Sequence, residues 1–568
     1  MKSKFLYIFL MLVGILACSE DFTESTAFGA LSDDALQNAQ GIELKLIGAY
    51  SLLDGHSDTG SADWEKTADG WWYDVIADDA HKGSTDGDQA DLFLLEVFDW
   101  NTTNPYVSGR WRSLFAAINR CNAVLDLISQ VETGDFTQQA AEARFLRGHF
   151  NFELQKMWVK VPFISVENYS NTEFNQPNPG DIYEQIAEDF TFAMNNLPES
   201  TEVGRPNKYV AMAFLGKTHL YRATLDTDAN RDSEFTAALG YFQQVINSGK
   251  YHLLTEFADN FRLAGENGAE SLFAIQFTAD QGQSFNGNRG GTLSFPNPGP
   301  LANCCGFYQP TQDLVNAYQT QAGLPLLDTY NNSDVANDYG IESSQAFTPH
   351  TGPLDPRLDY TVGRRGIDMN GWEVNPGKDW IRANFADISG PYLTKKNFYW
   401  AGDDANRGTG GWGEQRSGIN YHIMRYADVL LMAAECQAEL GQGDLGLAYV
   451  NEVRSRAKSM TYVKNSGGAN AANYQIEEYG SFSGQDHAIK AVRFERRLEF
   501  GCEGQRLFDL RRWGVAKEVM NEYIANEART ITPFGVAAKA YEDKHDVTPI
   551  PLGAIDLSGG ALTQNAGW

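Results

Sequence analysis

Positive charge is what this 568-residue chain most conspicuously lacks. Its 45 Lys and Arg stand against 74 Asp and Glu, a formal net charge of −29. Such a surface has nothing to replace the counterions condensed on phosphate, so no nucleic acid is expected as a partner. It suits a neutral one. Long apolar runs are also scarce. After Leu16 none reaches the roughly 20 residues of a membrane helix. Cysteine is sparse, six in all, which excludes a disulfide scaffold. Cys121, Cys436 and Cys502 fall in or beside helical patterns and read as buried thiols. The nine His are scattered, and neither HExxH nor GxSxG occurs.

The one sustained apolar run is at the start. Lys2 and Lys4 precede Phe5–Leu16, the length of a signal-peptide core. It ends in Ile15-Leu16-Ala17-Cys18, an aliphatic residue, a small residue and Cys, as in a bacterial lipobox. Residues 1–17 therefore read as a lipoprotein signal peptide. Lipidation of Cys18 would anchor the chain to a membrane without spanning it.

Helical periodicity recurs along the mature chain. It covers about 33–54, Trp71–Ala80, Arg110–Ile128, Gln138–Trp158, Gly180–Asn196, Lys208–Leu225 and Glu234–Asn247. It returns at His422–Leu440, Leu445–Ala457 and Asp486–Phe500. Adjacent helices of this kind suggest tetratricopeptide-like pairs, with Gly216 allowing close approach. Residues 279–421 differ. They are dense in Gly, Asn, Pro and aromatics, and loops of that length are usually functional. The fold expected is mostly α, a helical-pair scaffold carrying a large loop-rich lobe.

Five segments sharpen this reading. They are Ala143-Arg144-Phe145-Leu146-Arg147 running on to Val161-Pro162, Met424–Glu435, Val450–Ala457, Glu495–Phe500 with Gly504–Gly514, and Pro549-Ile550-Pro551 to Gln564-Asn565. In this order they resemble the SusD/RagB family over nearly the whole mature chain. Ala566, where the family often has Pro, and Gly501-Cys502 are small departures. The resemblance implies one SusD-like domain over 18–568, its scaffold at about 33–278 and 422–568 and its lobe at about 279–421. It implies an oligosaccharide-binding, non-enzymatic lipoprotein that serves a TonB-dependent, SusC-like transporter of a Bacteroidetes-type outer membrane. Ser19-Glu20-Asp21 resembles the signal in that group for export to the outer face.

Sugar rings are held by a flat aromatic ring beneath and by carboxylates, amides or Arg at the edge. Candidates outside the helical stripes are Trp72, Asp79 and Trp100, with Asp54 closing the first helix. The lobe offers Arg364, Tyr399 and Trp400. By resemblance, a segment like Asp78–Gly83 and the end of the first helix lie near the ligand in a subset of the family, and a segment like Asp355–Gly366 is typical of that subset. Cys304-Cys305 could close a small ring against a sugar, although its strain favours two reduced thiols in a loop. The charged residues from Glu495 to Arg512 read as Arg–carboxylate locks between helices.

No cofactor is required for such binding. Asp226, Asp228, Asn230 and Asp232 space oxygens as a calcium loop does, but Arg231 stands where Gly is needed and Ala237 where the closing Glu belongs. A solvated turn is the simpler reading. Gly408–Gly413 fits a dinucleotide pattern by letter only, since no strand precedes it and no clear helix follows. A surface glycoside hydrolase would need two carboxylates at a set separation, and nothing marks such a pair. A receptor or lid for a non-glycan nutrient such as peptides is the other alternative.

Overall fold

The computed structural model describes residues 36–55, 71–170, 175–226, 228–279, 293–300, 305–396, 398–403, 407–409 and 415–568. Cys18 and the rest of the signal region lie outside them. The first helices are α1 (Ala39–Tyr50), α2 (Trp71–Val75), α3 (Ala90–Glu96), α4 (Pro105–Gln130), α5 (Thr137–Trp158), α6 (Tyr183–Asn196), α7 (Lys208–Leu225) and α8 (Arg231–Asn247). After the short α9 (Gln312–Ala317) come α10 (Tyr426–Glu439), α11 (Gly443–Ser459), α12 (Gln485–Phe500), α13 (Arg506–Arg512), α14 (Ala516–Thr530), α15 (Thr532–Ala537) and α16 (Leu552–Leu557).

Consecutive long helices pack on one another. α4 lies on α5, α5 on α6, α6 on α7 and α7 on α8; α8 meets α10, which packs on α11 and α12. Their starts are encoded locally. Asn104 caps α4, with Pro105 as its first residue; Asn207 caps α7 and Asn230 caps α8, each side chain accepting backbone N–H bonds. Gly216 sets the spacing of α7 and α8, since a Cβ there would meet the Phe242 ring at 2.7 Å. The main core runs through this stack, from Ile42 and Phe145 to Leu430 and Tyr541.

Two helices differ from the sequence reading. The pattern from Trp71 is helical only to Val75, and the chain then enters strand β1 (Ala80–Gly83). The pattern from His422 opens as a strand, and the helix begins at Tyr426. Both stretches bury nearly every residue, and full burial erases the periodicity that tells helix from strand.

The strands form small ribbons. β1 pairs antiparallel with β3 (Phe307–Pro310), and β2 (Ser271–Ile275) pairs antiparallel with β4 (Tyr421–Arg425). The lobe otherwise has only short ribbons, such as Val362–Gly363 with Leu393–Thr394, between irregular stretches, and rests on cores of its own. One contains Leu314, Tyr318, Leu358 and Tyr392 with Leu498 of α12; another contains Phe295, Met369, Trp380, Leu393 and Tyr399. Residues 460–484 join the lobe, because Leu354 bridges to Tyr474.

Candidate functional site

The acidic segment at the end of α2 is a buried lock. Arg497 reaches Asp78 at 3.0 Å, Asp313 at 2.7 Å and Asp79 at 3.6 Å. Arg506 also holds Asp78, at 2.8 Å. Burial lifts Asp79 to about 6 in spite of the neighbouring Arg497. A second network joins Arg357, Arg425 and Arg456 to Glu499 at 3.1, 2.9 and 2.5 Å. Arg496 and Arg512 pair with Asp428, Asp509 and Glu435. These groups fasten α10, α12 and α13 to one another and to the lobe.

Most of the predicted contact residues are therefore packing residues. Trp72 is 1% exposed and lies edge-on to Tyr73 and Tyr106 at 4.8 and 6.1 Å. Asp79 is buried at the lock. Trp100, 7% exposed, stacks on Trp568 at 6.2 Å and donates its Nε1–H to the Leu95 carbonyl at 2.7 Å. Arg364 is held at both ends of its fork by Asp359, each bond 2.8 Å. Tyr399 is buried against Phe295 and Phe398. None of these five presents a surface to a glycan. Trp72 sits in the short helix α2 and the other four in irregular stretches whose inward side was not legible from spacing.

Asp54 closes the turn Ser51–Asp54 and is half-buried. Cys304 lies outside the described residues. Cys305 is disulfide-bonded, against the expectation of reduced thiols, whereas Cys121, Cys436 and Cys502 are free and buried. The acidic loop after α7 is a helix-to-helix turn. Asp226 accepts from Arg222 and from the Asp228 N–H, and Asn230 caps α8. Among the described residues no cluster of three or more His, Cys, Asp or Glu is arranged to hold a metal.

Trp400 remains half-open. Its ring lies 6.1 Å from that of Tyr360, at 32° to it, and the Arg262 guanidinium sits 4.9 Å from its centre. Arg262 also pairs with Asp403 at 3.3 Å. The shelf is fixed from beneath. Asn370 Nδ2 donates to the carbonyls of Lys395 and Phe398, and the Ala401 N–H donates to the Asn370 carbonyl. Tyr360 is tied through its hydroxyl to the Thr461 carbonyl at 2.7 Å. Lys395 lies below both rings, about 6.0 Å from Trp400, and burial pushes its ammonium down to about 8. The arrangement offers an aromatic surface and, in Arg262, a forked donor oriented by the buried Asp403, which suits a hydroxyl-bearing ring. The sequence reading missed Tyr360, Arg262 and Asp403. Tyr360 lies within Asp355–Gly366, so that signal was present; Arg262 arrives from a distant turn.

A helical-pair scaffold thus carries a loop-rich lobe in which one predicted aromatic, Trp400, stays half-open. The chain belongs to the SusD family. The family model described as "SusD family" matches residues 269–568, and one described as "Starch-binding associating with outer membrane" matches 74–220. A SusD-like protein of Formosa agariphila is 23% identical over 100% of this chain and 99% of its own. One of Bacteroides ovatus is 24% identical over 76% of this chain and 70% of its own. Among solved structures, a laminarin-binding SusD-like protein covers 94% of this chain and 100% of its own, with TM-score 0.65 and 21% identity. Surface glycan-binding protein A of Bacteroides thetaiotaomicron in complex with laminarihexaose covers 93% and 99%, with TM-score 0.62 and 20% identity.

Proposed function

We propose that this protein is an outer-membrane, cell-surface lipoprotein that binds a neutral oligosaccharide and passes it to a TonB-dependent, SusC-like transporter. The observation that carries the reading is the half-open Trp400 beside Tyr360, with Arg262 over the Trp400 ring and held by the buried Asp403, on a SusD-family scaffold. The relatives named as laminarin- or glycan-binding support the ligand class. The family description that places starch binding at the outer membrane supports the location. Lipid at Cys18 would keep the protein beside its transporter and raise its local concentration there. The reading contains no chemical step: the shelf holds the sugar by stacking and hydrogen bonds and releases it unchanged.

Calorimetry of the full chain in detergent against a panel of plant, microbial and host glycans tests it. Binding to one linkage, weakened by Trp400→Ala and without release of reducing ends, is the expected result. Turnover of the bound glycan by the purified protein would replace the binder with a hydrolase. Silence across the panel would reject the glycan reading. Mass analysis of the mature N-terminus checks the acylated Cys18.

A further inference from the structure

The scaffold carries a second concavity that shares no residue with the Trp400 shelf. It is a groove of about 660 Å³ between the N-terminal half of α4, the Pro162–Tyr169 connection and α16. That volume lies within the range of about 300–1,000 Å³ typical of ligand sites. Its walls are fixed from behind. Trp111, behind the floor, stands edge-on to Trp158 at 5.1 Å and beside Phe115 at 4.8 Å. The second wall is tied by Asn122 Nδ2 to the Ile164 carbonyl and by the Tyr169 hydroxyl to Asp126, each at 2.9 Å. The third is tied by the Leu552 N–H to the Thr102 carbonyl and by Trp158 Nε1 to the Pro549 carbonyl, again at 2.9 Å. A groove held this way keeps its shape without an occupant, so little ordering opposes binding.

The lining narrows the chemistry of what fits. The floor is apolar and partly aromatic, through the half-buried Phe115 and Tyr169, with Trp111, 6% exposed, packed behind them. The rim carries hydroxyls and amides such as those of Thr102, Asn119 and Asn175. Among the described residues Arg112 is the single charged one of the lining, on a chain whose net charge is −29. An ionic ligand would find little to pair with. A hydrocarbon would cover the floor but displace water from the amides and hydroxyls of the rim without replacing their hydrogen bonds. A pyranose chain meets both demands, with C–H faces for the floor, hydroxyl edges for the rim and no charge. We propose that this groove is a second site for neutral glycan. Two sites on one anchored molecule would hold a polysaccharide at two points and slow its escape. The inference rests on the glycan-binding reading above but on different residues.

The test is the stoichiometry of binding. The full chain in detergent is titrated with laminarihexaose, maltohexaose and cellohexaose. Groove variants are Leu557→Glu and Asn119→Trp, both at exposed positions, with Leu557 84% exposed, so the fold is kept. The expected result is two sites per wild-type chain for at least one hexasaccharide. The groove double variant and Trp400→Ala would each leave one, and their combination none. One site per chain, unchanged by the groove variants, would overturn the inference and leave the Trp400 reading standing. One site per chain, together with groove variants that lose only co-purification with the outer-membrane barrel, would assign the groove to a protein contact and overturn it equally. Absence of binding to every hexasaccharide and to the wider panel would remove both readings.

Discussion

Single residues in this protein divide by what surrounds them, not by what they are. Trp72 and Trp400 are both tryptophans outside the helical stripes, yet one is enclosed and the other half-open. Trp400→Ala should cost about 2 kcal/mol of binding, roughly thirtyfold in affinity, with the unfolding midpoint nearly unchanged. Trp72→Ala should do the reverse. It opens a core cavity and should cost about 3–5 kcal/mol of stability, read by urea denaturation, while the affinity of the folded fraction holds. Arg497 belongs with Trp72. Arg497→Ala would leave Asp313 without its buried cation and Asp78 with Arg506 alone, and a loss of about 3–5 kcal/mol is expected in the same assay.

At the scale of elements, helix spacing and ribbon pairing hold the lobe on the stack. α7 and α8 approach closely because Gly216 leaves room for the Phe242 ring. Gly216→Val should force them apart at a cost of about 1–3 kcal/mol, seen as a lowered urea midpoint. The β1–β3 ribbon is a more specific clamp. His81 of β1 bonds Glu96 of α3 through Nδ1 and Glu527 of α14 through Nε2, both at 2.9 Å. Glu527 also accepts the backbone N–H groups of Gln312 and Asp313 at the start of α9. One buried imidazole and one carboxylate thus join the scaffold to the lobe. Little in the sequence marked this, since Glu527 is far from His81 along the chain.

For the whole molecule, that clamp sets a pH dependence. Burial alone would lower the His81 pKa, but the hydrogen bonds it donates to Glu527 and Glu96 outweigh it and push it up to about 9. A histidine whose folded pKa is raised adds stability that is fully present below its unfolded value, near 6.5, and is lost as pH rises through about 9. The thermal midpoint should therefore fall across that window, and His81→Gln should flatten this part of the curve. Equal slopes in wild type and variant would show that other groups set it.

How far the chain could be read in one dimension depended on the range of the interactions involved. The amphipathic periods of α4 to α8 and the motif segments from Ala143 to Asn565 act over a few residues, so helices, stack and family followed from local pattern. The Arg–carboxylate chemistry of Glu495–Arg512 was likewise legible as locking. Which way a loop side chain points was not. Arg364, Tyr399 and Trp100 were turned inward by partners that arrive from elsewhere: Asp359 across a turn, Phe295 from a distant loop and Trp568 from the last residue of the chain. The amino-acid sequence by itself determined the helical-pair scaffold, the family and the kind of ligand chemistry to look for. The tertiary structure alone decided that Trp400 is the one of the four predicted contact aromatics left half-open, because exposure depends on long-range packing that local periodicity does not encode.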